Sequence, residues 1–102
     1  MNRGDIWLAE VGNKTRPVLI VTRQQVIDVR RLVTVAEITT PARGLAAEVE
    51  FDHEGTGLDR ASVINCDGLH TIARSSLSSR LSTVNDATMD DVSWAINYAL
   101  GC

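Results

Sequence analysis

The chain has 102 residues, 44% of them hydrophobic, a mean hydropathy near zero and a formal net charge of −3. That length fits one domain, residues 1–102, large enough to bury a core without staples. No run of about 18 apolar residues exists to form a membrane-spanning helix, MNRGDIWLAE lacks the apolar stretch of a signal peptide, and Cys66 and Cys102 make neither a metal spacing nor a disulfide framework, so a cytoplasmic protein with free thiols, without cofactor or metal, is expected.

Ile6-Trp7-Leu8 starts a first strand, and Gly12-Asn13-Lys14 reads as a turn. Arg16 to Thr22 (RPVLIVT) is rich in β-branched residues and forms the second strand, with Pro17 suited only to its first position. Gln24 to Arg30 is a polar connection with room for one helical turn. Leu32 to Thr39 is the next strand, broken by Pro41 to Gly44. Ala47, Val49 and Phe51 alternate with Glu48 and Glu50, the pattern of a half-exposed strand. Glu54 to Gly57 is a loop. Ala61 to Cys66 and Leu69 to Ile72 read as two short strands around an Asp67-Gly68 turn, followed by a helical turn at Ser75 to Ser79 and a last strand at Arg80 to Val84. A closing helix begins at Asn85, a good N-cap with Asp86, Asp90 and Asp91 near its positive end; Met89, Val92, Ile96, Ala99 and Leu100 form its apolar stripe, and Gly101 suits its exit. The expected class is α+β, mainly β: a small, strongly bent SH3-like β-barrel with a C-terminal helix packed on it.

Charge is unevenly spread. Residues 1–43 carry seven bases against four acids, whereas residues 44–102 carry three against nine. A basic half is compatible with a polyanionic partner, and equally with ordinary surface variation. Within it, Arg16 precedes one strand and Thr39-Thr40 end the next. The arginine fork suits phosphate, and a neighbouring hydroxyl can hold a second phosphate oxygen. That pair is the minimum equipment for phosphodiester chemistry without a metal. Surface arginines at strand starts are common, however, and threonine favours strands for its own reasons. Glu37, two residues before Thr39, either pairs with an arginine such as Arg16 or faces solvent, and it is a candidate for the general base. His70 can assist proton transfer or be structural; His53, flanked by Asp52 and Glu54, reads as solvated surface. Ser62, Asn65 and Asp67 can read base edges or simply serve strand and turn. No Gly-rich phosphate loop, G-x-S-x-G or Cys–His arrangement is recognisable, and the four aromatics are too few for a stacking platform.

Taken together, RGDIW (3–7), RPVLIVT (16–22), VAEITTPARGLAAEV (35–49), SVINCDGLHTI (62–72), the Arg80–Val84 strand and the closing helix resemble the MazF/PemK family of toxin ribonucleases, in particular its compact actinobacterial members. The resemblance covers nearly the whole chain. It implies an SH3-like barrel, a symmetric homodimer, and sequence-specific, metal-independent cleavage of single-stranded RNA by 2′-hydroxyl attack, leaving a 2′,3′-cyclic phosphate and a 5′-hydroxyl. The family's catalytic arginine falls on Arg16 and its threonine on Thr39. Ser62 and Asp67 fall near the RNA groove, and Thr40, Asn65 and Lys14 are counted with them as RNA-binding. An antitoxin with a flexible, acidic C-terminal tail is the implied partner. The chain departs from longer relatives in its short Val11–Thr15 loop, and in Gly68, which stands where relatives often carry an amide that contacts a base.

Two rival readings share this fold. A CcdB-like gyrase poison cleaves nothing and relies on a C-terminal Trp-Gly-Ile, where this sequence reads Leu100-Gly101-Cys102. A noncatalytic SH3-like binding module needs no arginine–threonine pair.

Overall fold

The computed structural model describes residues 1–40, 44–58 and 60–102. Six strands form one antiparallel sheet: β1 (Asp5–Val11), β2 (Lys14–Ile20), β3 (Leu32–Thr39), β4 (Glu48–Glu50), β5 (Val63–Ala73) and β6 (Leu77–Thr83), in the order β4-β5-β3-β2-β1-β6. The sheet bends into a barrel-like form without closing, since β4 and β6 remain its two ends. A short helix α1 (Gln24–Ile27) bridges β2 and β3, a 3₁₀ turn (Arg74–Ser76) bridges β5 and β6, and helix α2 (Asp86–Leu100) closes the chain. The expected break at residues 41–44 falls, apart from Gly44, outside the described residues.

Strand alternation sends side chains to two separate cores. Ile6, Leu19, Ala36, Ile38, Val49 and Ile64 point to the face covered by α2, which contributes Val92 and Ala95. Ala9, Val18, Ile20, Val33 and Val35 point to the opposite face, where the bent sheet and Ile27 of α1 enclose them with Leu77. Helix α2 begins as its sequence dictates: Asn85 Oδ1 accepts a hydrogen bond from the Thr88 backbone N–H (2.8 Å), and Gly101 ends it in the left-handed conformation (φ 72°). Met89, Val92, Ala95, Ile96 and Ala99 form its inner stripe. Leu100, expected on this stripe, is the last residue of α2 and stays exposed, while Ala95 joins the stripe. Trp94 and Tyr98 stack on the outer face with ring centroids 5.5 Å apart.

Two expectations are corrected. Residues 63–73 form one strand rather than two around a turn. Ala36 pairs with Leu69 and Glu37 with Asn65, so Cys66, Asp67 and Gly68 are extra residues on β5 with no counterpart on β3. The strand survives this bulge because β4 supports its other side, the Cys66 N–H donating to the Ala47 carbonyl (2.9 Å). Asp-Gly therefore bends a strand here instead of reversing it.

Pro17, second, is the fourth residue of β2, not its first, and lies opposite Leu8 of β1. The Ile20 carbonyl accepts from Gly4 on the β1 side, and the Val21 N–H donates to Thr34 on the β3 side. Odd-numbered residues of β2 thus turn their backbone groups toward β3. Pro17 has no N–H to offer there, and the β2–β3 pairing runs only from Ile20↔Val35 to Val18↔Glu37. Beyond Val18, among the described residues, β2 is paired on one side only.

Candidate functional site

Where the β2–β3 ladder stops, a cleft opens. Carrying its register two residues past Val18↔Glu37 sets Arg16 across from Thr39. Two adjoining depressions meet along this line and share Arg16, Pro17, Glu37, Ile38 and Thr39 as their common wall. The first, about 450 Å³, continues past Lys14 to His70, Thr71 and Ile72. The second, about 540 Å³, continues past Thr40 to Ser62, Asn65, Leu58 and Arg60.

Arg16 is exposed, and no carboxylate among the described residues pairs with its guanidinium. Five N–H donors are thus left facing the cleft, the arrangement that binds phosphate oxygens. Thr39, half-buried at the end of β3, stands on the same face as Glu37 because the two are one strand period apart. Glu37 does not pair with Arg16. Its Oε1 instead lies 2.9 Å from Nε2 of His70, and both side chains remain partly exposed, 38% and 50%.

Most of the residues singled out in the sequence come together here. Arg16, Thr39, Lys14, Glu37 and His70 line the first depression or its wall, and Thr40, Ser62 and Asn65 line the second. Ser62 Oγ donates to the Arg60 carbonyl (3.2 Å), while Asn65 Oδ1 accepts from the Asp67 N–H (3.1 Å), which steadies the bulge. Asp67 is exposed and lines neither depression. His53 belongs to the turn around residues 53–56, where its carbonyl accepts from the Thr56 N–H (3.1 Å). Among the described residues no three His, Cys, Asp or Glu side chains gather as a metal site.

Sequence reasoning missed Leu58 and Arg60 in the second depression; their only signal is proximity to Ser62 on the approach to β5. It also missed Asp5, buried to 1% exposure beneath β6. Asp5 Oδ2 accepts from the Asn2 N–H (2.9 Å), Oδ1 accepts from Thr83 Oγ1 (2.7 Å), and Arg80 Nε lies 3.5 Å from Oδ1. Burial opposes charge on this carboxyl, but the bonds from Thr83 and Asn2 and the charge of Arg80 outweigh it and hold the carboxyl below its ordinary value. Cys66, buried against α2, is pushed up to about 11 by burial and by the charge of Asp67, so it is an inert thiol.

Comparison with known proteins gives a consistent picture. Residues 2–100 match the family described as the PemK-like, MazF-like toxin of type II toxin–antitoxin systems. The probable endoribonuclease MazF2 of Mycobacterium tuberculosis is 30% identical over 102 residues, covering all of both chains. The solved structure of the Mycobacterium tuberculosis toxin MazF-mt6 superposes with a TM-score of 0.87 at 38% identity, covering 95% of this chain and 96% of that one. An endoribonuclease from a mycobacterial species, solved in complex with its cognate antitoxin, superposes with a TM-score of 0.89 at 25% identity, covering 99% and 95%.

Proposed function

The chain belongs to the PemK-like, MazF-like family of type II toxins, and from that membership and the cleft between Arg16 and Thr39 we propose that it is an endoribonuclease cutting single-stranded RNA at specific sequences, thereby arresting translation and growth. The observation that carries this reading is the unpaired Arg16 fork set across from the Thr39 hydroxyl, between two depressions that can each take a nucleotide. The scissile phosphate sits between them. Its nonbridging oxygens are held by Arg16 and Thr39, and the flanking nucleotides extend into the depressions on either side.

Cleavage uses the substrate's own 2′-hydroxyl. The 2′-oxygen bonds to phosphorus, the bond from phosphorus to the 5′-oxygen breaks, and the products are a 2′,3′-cyclic phosphate and a 5′-hydroxyl. Arg16 stabilises the extra negative charge of the pentacoordinate state, and Thr39 donates to a nonbridging oxygen. Donors placed in this way are typically worth roughly 10²–10³ in rate each. The reading asks for no metal, since the nucleophile comes from the RNA and the developing charge is met by a guanidinium. Lys14 strengthens phosphate attraction, and Thr40, Ser62, Asn65 and Asp67 contact RNA around the cut.

The reading includes a homodimer, a cytoplasmic location and control by a cognate antitoxin whose flexible acidic tail covers the cleft. Val29, Trp94, Tyr98 and Leu100 are each more than half exposed in the single chain, apolar surface of the kind that a two-fold contact covers. Light scattering of the purified protein at micromolar concentration tests the dimer; a strict monomer counts against it.

The activity is tested by incubating the protein with long RNA and mapping the new 5′ ends. Site-specific 5′-hydroxyl ends, lost in Arg16→Ala and Thr39→Ala, are expected. Intact RNA together with inhibition of gyrase would replace this reading with that of a gyrase poison.

A further inference from the structure

Resting on the ribonuclease reading, we infer that His70, oriented by Glu37, is the base that takes the proton from the attacking 2′-hydroxyl, and that Gly68 is the residue that lets Glu37 do so. Three observations lead there. His70 lines the depression that Arg16 and Thr39 bound. Its Nε2 lies 2.9 Å from Glu37 Oε1. An ionised carboxylate only accepts, so Nε2 carries the hydrogen and the lone pair of the neutral ring is on Nδ1, free to receive a proton. Along β3, Glu37 and Thr39 share a face one strand period apart, roughly 6.5–7 Å. His70 stands opposite Val35, four residues along β3 from Thr39, and both His70 and Thr39 line the first depression. A nucleotide whose phosphate rests at Thr39 and whose sugar lies in that depression presents its 2′-hydroxyl toward the histidine, and its 5′-oxygen leaves toward the second depression.

Gly68 supplies the independent geometric sign. A Cβ at this position would stand 2.6 Å from Glu37 Oε2 and 3.1 Å from its Cδ. The carboxylate occupies the space that a side chain at residue 68 would fill. Absence of a side chain at the bulge is thus what seats Glu37 against His70. The charged groups sharing this depression with the imidazole, among the described residues, are Glu37 on β3 and Lys14 and Arg16 on β2.

The step balances without a co-reactant. His70 Nδ1 takes the 2′-hydroxyl proton as the oxygen–phosphorus bond forms. The departing 5′-oxygen takes a proton from water, and the hydroxide so formed is neutralised by the imidazolium, which returns His70 to its starting state. Attack and departure lie on opposite sides of phosphorus, so one histidine serves only the attacking side.

The test measures kcat and KM against pH, on a short single-stranded RNA containing a mapped cut site. In the wild type, kcat/KM is expected to fall on the acid side as the imidazole protonates. His70→Gln should lower kcat by roughly 10²–10⁴-fold with little change in KM, and should abolish that acid limb. Glu37→Gln and Gly68→Ala should lower kcat by a smaller factor, roughly 10–100-fold, the range for partners that orient an active group. Gly68 has no positive φ, and its new Cβ meets the tips of two side chains, Glu37 Oε2 at 2.6 Å and Asn65 Nδ2 at 3.0 Å, so Gly68→Ala should fold. Asn65→Ala, assayed beside it, separates displacement of Asn65 from displacement of Glu37. Wild-type kinetics in His70→Gln, or an acid limb that survives in it, overturns the inference while leaving the ribonuclease reading intact. A wild-type protein that cuts no RNA overturns that reading itself.

Discussion

Thr83 Oγ1 donates to Asp5 Oδ1 across 2.7 Å, joining the last strand of the sheet to the first through a buried carboxylate. Arg80 approaches the same oxygen, and its guanidinium also donates to Thr83. Asp5→Ala removes the acceptor for Thr83 and Asn2 and should destabilise the fold by about 2–3 kcal/mol; Thr83→Val, which removes one neutral donor, should cost about 1 kcal/mol. Urea unfolding of the two variants beside the wild type measures both.

The same carboxyl gives the stability a sign with pH. Its folded value lies below the ordinary 3.8, so the unfolded chain takes up the proton first as pH falls. The contribution is fully present above the ordinary value and is lost as pH drops through the folded one. Asp5→Asn should start less stable at neutral pH and lose less below 3.8. A urea midpoint followed across that range checks it; parallel curves for the two proteins would contradict it.

Arg16→Lys should be nearly as inactive as Arg16→Ala, by roughly 10²–10³-fold in kcat, because a lysine keeps the charge but not the planar fork. Neither change should move the unfolding midpoint, since Arg16 is exposed and holds no other side chain. Thr39→Ser should keep most activity and Thr39→Val should lose it, which separates the hydroxyl from the methyl group.

Lys14 is exposed at the start of β2 and lines the first depression. If it neutralises one phosphate, Lys14→Gln should flatten the slope of log affinity against log salt by about 0.7 for a single strand. Titrating a fluorescent, uncleavable RNA at several salt concentrations gives that slope.

The two thiols should behave differently. Cys66 is buried and pushed up to about 11, whereas Cys102 is exposed. At neutral pH in the native state a thiol reagent should label Cys102 alone, with Cys66 following only on unfolding. The raised Cys66 value also stabilises the fold fully below the ordinary 9.0, and that contribution is lost as pH rises toward 11.

The succession of most strands along the chain and the closing helix with its Asn85 cap and Gly101 exit were legible in the sequence, because alternation and capping are local signals. Spacing alone does not bring Arg16 opposite Thr39; the β2–β3 register does. What was not legible depends on partners distant in the chain. Asp67-Gly68 carries a turn signal, but Ala47 holds β5 straight enough to convert it into a bulge. Asp5 looks like an ordinary surface acid until Thr83 and Arg80 fold over it. Glu37 had several charged neighbours available to it, and the choice of His70 over Arg16 followed from a register shift that periodicity does not reveal.

Pro17 keeps the cleft open through a missing hydrogen atom rather than through a movable part. Because nothing must unzip, an RNA strand meets a finished surface, and capture is governed by diffusion and charge instead of a conformational wait. Among the described residues no segment covers the cleft, and on the proposed reading a second protein has to cover it, as a sheath covers a blade.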